Sequence, residues 1–268
     1  MGLRDPDFSC LSEEDLAAER IKPVHTISLN GATLYLDGAQ LDRQDIEIVE
    51  GDIAFPKGTV PHAENRNAYV KAAKWANGII PYEIDRFSSY SAGQINIITA
   101  SMRKLESQTN NCIRFVQRTS QPTWIRIYDG SGCWSYMGRQ YSSGSQDVSI
   151  DKNGCVSQSI VIHELLHTVG FAHEQSRPDR DSSVAVQWTN IQNGQSNNFQ
   201  SFVNGESSTL NQPYDLGSIM HYKWNAFSKN GQPTLLPTSA TVPKEIMGAA
   251  KEMITLDIRK VKQYYNCQ

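Results

Sequence analysis

The sequence predicts an α+β chain whose regular first part gives way to a looser second part, preceded by a mostly extended leading segment. Three observations predict it. Strand-like and helix-like stretches alternate between about residues 79 and 169, as they do when helices layer against a sheet. A looser stretch rich in Asn, Gln and Ser follows Gly170. Residues 1–66 stand apart: they lack an aromatic core, carry many charges and are punctuated by Gly31, Gly38, Gly51 and Gly58. With 268 residues, 39% of them hydrophobic, the chain can bury one sizeable core or a domain with a smaller appendage.

Taken in order, residues 12–20 (SEEDLAAER) open with a capping serine and an acidic first turn, which predicts a short helix. Extended pieces and turns follow. Pro56, Gly58 and Pro61 then lead into the polar stretch 62–66, an exposed linker. Residues 79–84 (IIPYEI) read as a strand. Ser91 can cap a helix whose Ile95, Ile98, Met102 and Leu105 keep helical spacing. Residues 112–116 and 124–128 are β-branched and aromatic, hence strands, and 148–150 is a shorter third. Residues 157–169 are apolar almost all round, as a buried helix is. Beyond it the pattern predicts a helix around 191–203, irregular chain over 225–243 and a last helix over 255–265 with Ile258, Val261 and Tyr265 inward.

The helix at 157–169 carries the chemistry, His163-Glu-Leu-Leu-His-Thr-Val-Gly-Phe-Ala-His173. Histidines four apart project from one helix face and can share one metal ion, as neutral imidazoles share Zn²⁺. Glu164, beside the first of them, is the usual general base for a metal-activated water in this pattern. Gly170 is the residue a helix favours just past its end, and the reversal there can return His173 to the same ion. Three protein ligands leave a fourth position open, as in catalytic zinc sites. With six histidines in the chain, chance writes HExxH in roughly one such sequence in a hundred, and the added Gly and His lower that about a thousandfold.

This motif resembles that of the metzincin zinc endopeptidases, a two-lobed catalytic fold. The strings His173-Glu174-Gln-Ser-Arg177-Pro-Asp179-Arg180-Asp181 and Ser218-Ile-Met220-His221-Tyr222, with Pro81-Tyr82, the four later cysteines and Asn225-Ala-Phe-Ser228, narrow the resemblance to the astacin family over about residues 67–268. The resemblance implies a secreted zinc endopeptidase with one catalytic Zn²⁺ on His163, His167 and His173. Glu164 is its base and Met220 packs beneath the metal. A tyrosine after an apolar run is ordinarily core. The full string makes Tyr222 a further zinc ligand of the mature form, able to swing away and donate to the oxyanion. The substrates implied are proteins or peptides. A non-catalytic secreted zinc-binding module derived from a protease is the alternative, and the presence of Glu164 speaks against it.

The resemblance also implies a proenzyme, with a prosegment over 1–66 and a catalytic domain over 67–268. The N-lobe then covers about 67–170 and the C-lobe about 171–268. A trypsin-like protease would cut after Arg66 and free the amino group of Asn67 to meet Glu174, a buried carboxylate in need of a cation. An ordinary surface arginine is the plainer reading of Arg66. Arg177, Asp179, Arg180 and Asp181 read as a structural ion network or a solvated loop. Among Asp37, Asp42, Asp45 and Asp52, the last follows Gly51 and matches the aspartate that astacin prosegments set on zinc. Asp52 is therefore the expected ligand of the latent form, with the chain to Phe55 in the substrate groove and Tyr222 displaced. Departures are Val49-Glu50-Gly51-Asp52 in place of Phe-x-Gly-Asp, Lys223-Trp224 after Tyr222, and Met247-Gly248 without the usual Gln-Arg.

Five cysteines leave one over, and none forms a CxxC pair. The four later ones permit three pairings; the resemblance implies Cys112–Cys267 and Cys133–Cys155, hence an oxidising, extracellular setting. Cys10 would remain. The net charge of −3 offers no basic surface for nucleic acid or anionic lipid. No apolar run reaches the roughly 18 residues a membrane span needs, and the N-terminus shows no apolar leader core.

Overall fold

A computed structural model of the chain describes residues 45–58, 73–202 and 208–267, together with the backbone of 26–29 and 32–35. The expected helix at 12–20, and Cys10, Asp37, Asp42, Arg66 and Asn67, lie outside the described residues.

Two short hairpins come first, β1 (Thr26–Leu29) with β2 (Ala32–Tyr35) and β3 (Ile46–Val49) with β4 (Ile53–Pro56). Then follow β5 (Ile79–Ile84), α1 (Ala92–Gln108), β6 (Arg114–Gln117), β7 (Thr123–Tyr128), β8 (Cys133–Tyr136), β9 (Gly144–Ile150) and α2 (Gln158–Val169). One seven-stranded sheet results, ordered β3-β4-β8-β9-β7-β5-β6. Strands β9, β7, β5 and β6 run parallel to one another, β8 runs antiparallel to β9, and β4 pairs parallel with β8. The leading hairpin therefore covers the edge that β8 would otherwise present to solvent.

Local chemistry explains both helices beneath the sheet. Ser91 accepts from the Gln94 amide while Gln94 Oε1 accepts from the Ser91 amide, a reciprocal cap that starts α1. Ile98, Met102 and Leu105 are buried as the spacing predicts, whereas Ile95 is 40% exposed because the first turn of α1 lies largely in solvent. Ser157 caps α2 by accepting from the Ile160 amide, and Gly170 ends it at φ 118. The last four carbonyls of α2, which no helical amide can reach, all find partners. Leu166 O accepts from Phe171, His167 O from Gly138, Thr168 O from Trp75 Nε1 and Val169 O from the Tyr265 hydroxyl. Eleven of the twelve α2 residues are buried, so the helix is an interior post and its histidines are held from every side.

Beyond Gly170 regular structure thins. Strands β10 (Val184–Val186) and β11 (Leu235–Pro237) pair antiparallel, and α3 (Thr255–Tyr264) closes the chain. The helix expected around 191–203 is absent; the described part of that stretch holds only a 3₁₀ turn, Ser196–Phe199. Gly194 and the run of Asn, Gln and Ser explain this. Side chains of these types can hydrogen-bond nearby backbone groups and so favour turns over a helix interior; across this turn Asn198 Nδ2 also bonds Gln195 Oε1. Disulfides Cys112–Cys267 and Cys133–Cys155 are both formed; the first ties the end of α3 to the strand β6 region. No helix among the described residues is long and apolar enough to cross a membrane.

Candidate metal centre

His163 and His167 project one turn apart from α2, and the chain reversal after Gly170 brings His173 to them. Each ring uses Nδ1 outward. His163 Nδ1 donates to the Ile219 carbonyl at 2.9 Å, His167 Nδ1 to the Phe171 carbonyl at 2.7 Å and His173 Nδ1 to Glu50 Oε2 at 2.9 Å. With these protons committed, the three Nε2 atoms face one another as bare acceptors, 3.1 Å apart for His163 and His167 and 3.3 Å for His163 and His173. All three rings are buried, and burial pushes His167 down to about 4, so a neutral imidazole is its resting form.

Asp52, in the turn between β3 and β4, completes the cluster. Its carboxylate oxygens lie 3.3 Å from His163 Nε2, 3.5 Å from His167 Nε2 and 3.2 Å from His173 Nε2. Four tetrahedral ligands about 2.0–2.1 Å from Zn²⁺ stand about 3.3 Å from one another. Five of the six separations, at 3.1–3.5 Å, fit that figure, the whole set lies within 4.8 Å, and three lone pairs and a carboxylate converging in a dry interior require a cation.

Glu164 follows His163 on the buried helix. Both its oxygens are fully enclosed and have no hydrogen-bond partner among the described residues. Burial first, and the Asp52 charge second, push its carboxyl well above the usual range. Tyr222 is buried against the third histidine, with ring centroids 4.7 Å apart, and its hydroxyl donates to the Glu50 carbonyl and not to the cluster. Met220 is buried in the main core, and its carbonyl accepts from the Glu174 amide. Of the other aspartates weighed for that position, Asp45 is exposed.

Glu174 already has its cations. Lys260 Nζ lies 2.7 Å from both carboxylate oxygens, and Arg177 and the Asp215 amide donate to Oε1. No sequence signal points to Lys260, because it lies 86 residues away, on α3. A cavity of about 110 Å³ adjoins this group, lined in part by Met137, Ala172, Arg177 and Tyr264. Arg177 grips Asp179 through two nitrogens at 2.8 and 2.7 Å, and Arg180 donates to Asp181 and to the Gln175 and Phe199 carbonyls. Both arginines are buried, so this network shapes the loop after His173.

A buried helix bearing two ligands, a third returned by a glycine stop and a sheet edge alongside define a metalloprotease-type zinc site. The family model for Astacin, a peptidase family, matches residues 67–266. The chain belongs to the astacin family, whose members use one catalytic zinc. Zinc metalloproteinase nas-15 of Caenorhabditis elegans is 40% identical over 196 residues, 72% of this chain and 32% of that protein. Zinc metalloproteinase nas-7 of the same organism is 40% identical over 210 residues, 78% of this chain and 52% of that one. The chain thus spans about a third to a half of these relatives. The solved structure of High choriolytic enzyme 1, a hatching enzyme zinc-protease from Oryzias latipes, superposes with a TM-score of 0.65 at 39% identity, covering 73% of this chain and 94% of that one.

Proposed function

We propose that this chain is the latent form of a secreted zinc endopeptidase, and that removal of its leading segment releases peptide-bond hydrolysis. One observation carries the reading: Asp52, from a hairpin lying on the β8 edge, stands within 3.5 Å of all three histidine Nε2 atoms, where a substrate would have to approach. His163, His167 and His173 would hold the zinc, with Asp52 as fourth ligand until the hairpin leaves. Zinc bound there polarises a carbonyl and makes water a nucleophile near neutral pH. Glu164 takes the proton of the attacking water and hands it to the departing nitrogen. Its enclosure with no competing donor keeps its basicity for that task. Tyr222, freed from the Glu50 carbonyl, turns its hydroxyl toward the developing oxyanion.

The β8 edge supplies the substrate platform. Its Ser135 amide now donates to the Asp52 carbonyl at 3.0 Å, and a protein or peptide substrate in extended form would take over such bonds. Cleavage after Arg66 by a trypsin-like protease is the activating step. The freed Asn67 amino group then enters the cavity beside Glu174 as a further donor, next to Lys260.

Trypsin treatment tests this directly. The intact, zinc-loaded chain should be silent on a peptide substrate, activity should rise with cleavage, and the activated protein should begin Asn-Ala-Tyr. Equal activity before and after cleavage would sink the latent-form reading, and a mature start far from residue 67 would remove the role of Glu174.

A further inference from the structure

The three ligand histidines are not supported alike. His163 and His167 each donate Nδ1–H to a backbone carbonyl, Ile219 and Phe171, that stays with the metal site whatever happens to the leading segment. His173 donates instead to a carboxylate, Glu50 Oε2 at 2.9 Å, and that carboxylate comes from the leading hairpin. Glu50 is 2% exposed although acidic, and it sits at φ 51, a left-handed conformation that non-glycine residues seldom adopt. With Gly51 at φ 83 it forms the three-residue turn Glu50-Gly51-Asp52 between paired Val49 and Ile53. That turn delivers two carboxylates to the site from opposite sides of one imidazole. Asp52 meets Nε2 of His173 and Glu50 meets Nδ1.

A carboxylate on the far nitrogen of a ligand imidazole fixes its tautomer, orients the ring and raises its basicity toward the metal; losing such a partner typically costs 10–100-fold in metal affinity. We propose that Glu50 is a positioning residue for zinc, and that the hairpin is a zinc-retention device as well as a plug. The latent chain then grips its metal more tightly than the activated enzyme, because cleavage removes the outer partner of His173 together with the fourth ligand. This rests on the reading that the hairpin covers the zinc until activation. It assigns to Glu50 a task separate from that of Asp52, since Glu50 touches no open metal position and acts through His173.

Zinc release to a chromogenic chelator at neutral pH tests it in the intact chain. Glu50→Gln should release zinc about tenfold faster than wild type, and Glu50→Ala up to about 100-fold faster. Both should stay silent on peptide substrate, because Asp52 remains. Phe55→Ala, which loosens the hairpin by removing a buried ring, is the control for mere structural weakening: it should raise zinc release and basal hydrolysis together. After trypsin activation, wild type and Glu50→Gln are the same molecule and should release zinc at one common, faster rate. Release from intact Glu50→Gln and Glu50→Ala within twofold of wild type would overturn the proposal. So would gain of hydrolysis in step with release, which would mean that Glu50 only holds the hairpin down. Asp52→Asn reports on the underlying reading. If it too is silent and slow to release zinc, the latent-site reading fails; if it responds while the Glu50 variants do not, only the role of Glu50 fails.

Discussion

Glu164→Gln in the activated, zinc-loaded chain is expected to lower kcat by about 10²–10⁴-fold, the range a positioned general base supplies. The substitution keeps the shape of a fully buried side chain and removes only its capacity to accept and return a proton. The Glu164 carboxylate makes no hydrogen bond to the described residues, so an amide in its place breaks no contact that holds His163 or His167. Zinc should therefore remain at one per chain by elemental analysis. His167→Ala is the complement: it removes one of three converging Nε2 atoms, and the metal with it. Retention of more than a tenth of wild-type kcat in Glu164→Gln would show that another group moves the proton. Stoichiometric zinc in His167→Ala would undo the ligand assignment.

The parts of this site that sequence made legible are those governed by local geometry. Helical spacing puts His163 over His167, and a glycine at φ 118 returns His173, so one eleven-residue string contains most of the metal centre. A capping signal at Ser91 marks α1, and an apolar run marks the buried α2, for the same reason. The disulfide pairing was available only through resemblance, because four cysteines do not declare their partners. Strand β8 leaves no such signal: Cys133, Trp134, Ser135 and Tyr136 are buried on both faces, which erases the alternation that betrays a half-buried strand. The expected helix near 191–203 failed in the opposite way, since sparse apolar spacing was outweighed by Asn, Gln and Ser satisfying one another. Glu50 and Lys260 were invisible in kind. Their partners lie 123 and 86 residues away, and only the closed fold brings a hairpin turn to His173 or α3 to Glu174.

That closed fold also sets the expected outcome for Asp52→Ala. The intact variant should hydrolyse peptide substrate at least tenfold above the wild-type background, or cleave itself during purification. Removing one partner of a buried ionic contact typically costs about 3–5 kcal/mol, so the fraction of molecules with the hairpin lifted should rise by about two to nearly four orders of magnitude. Activity should still fall short of that of the trypsin-cut enzyme. Ile46, Ile53, Ala54 and Phe55 remain buried against Trp134, Tyr136, Met137 and Phe202, and each large apolar side chain among them holds the hairpin on the β8 edge by about 1.5–3 kcal/mol. Adding Phe55→Ala to Asp52→Ala should therefore bring the uncut chain closer to full activity, while Phe55→Ala alone, with the carboxylate still in place, should gain less than Asp52→Ala. Adding Glu164→Gln should abolish whatever hydrolysis Asp52→Ala gained, assigning it to this chain and not to a contaminant. If uncut Asp52→Ala is as silent as wild type with zinc fully loaded, the packed hairpin alone blocks the groove, and the carboxylate is not what keeps the enzyme latent.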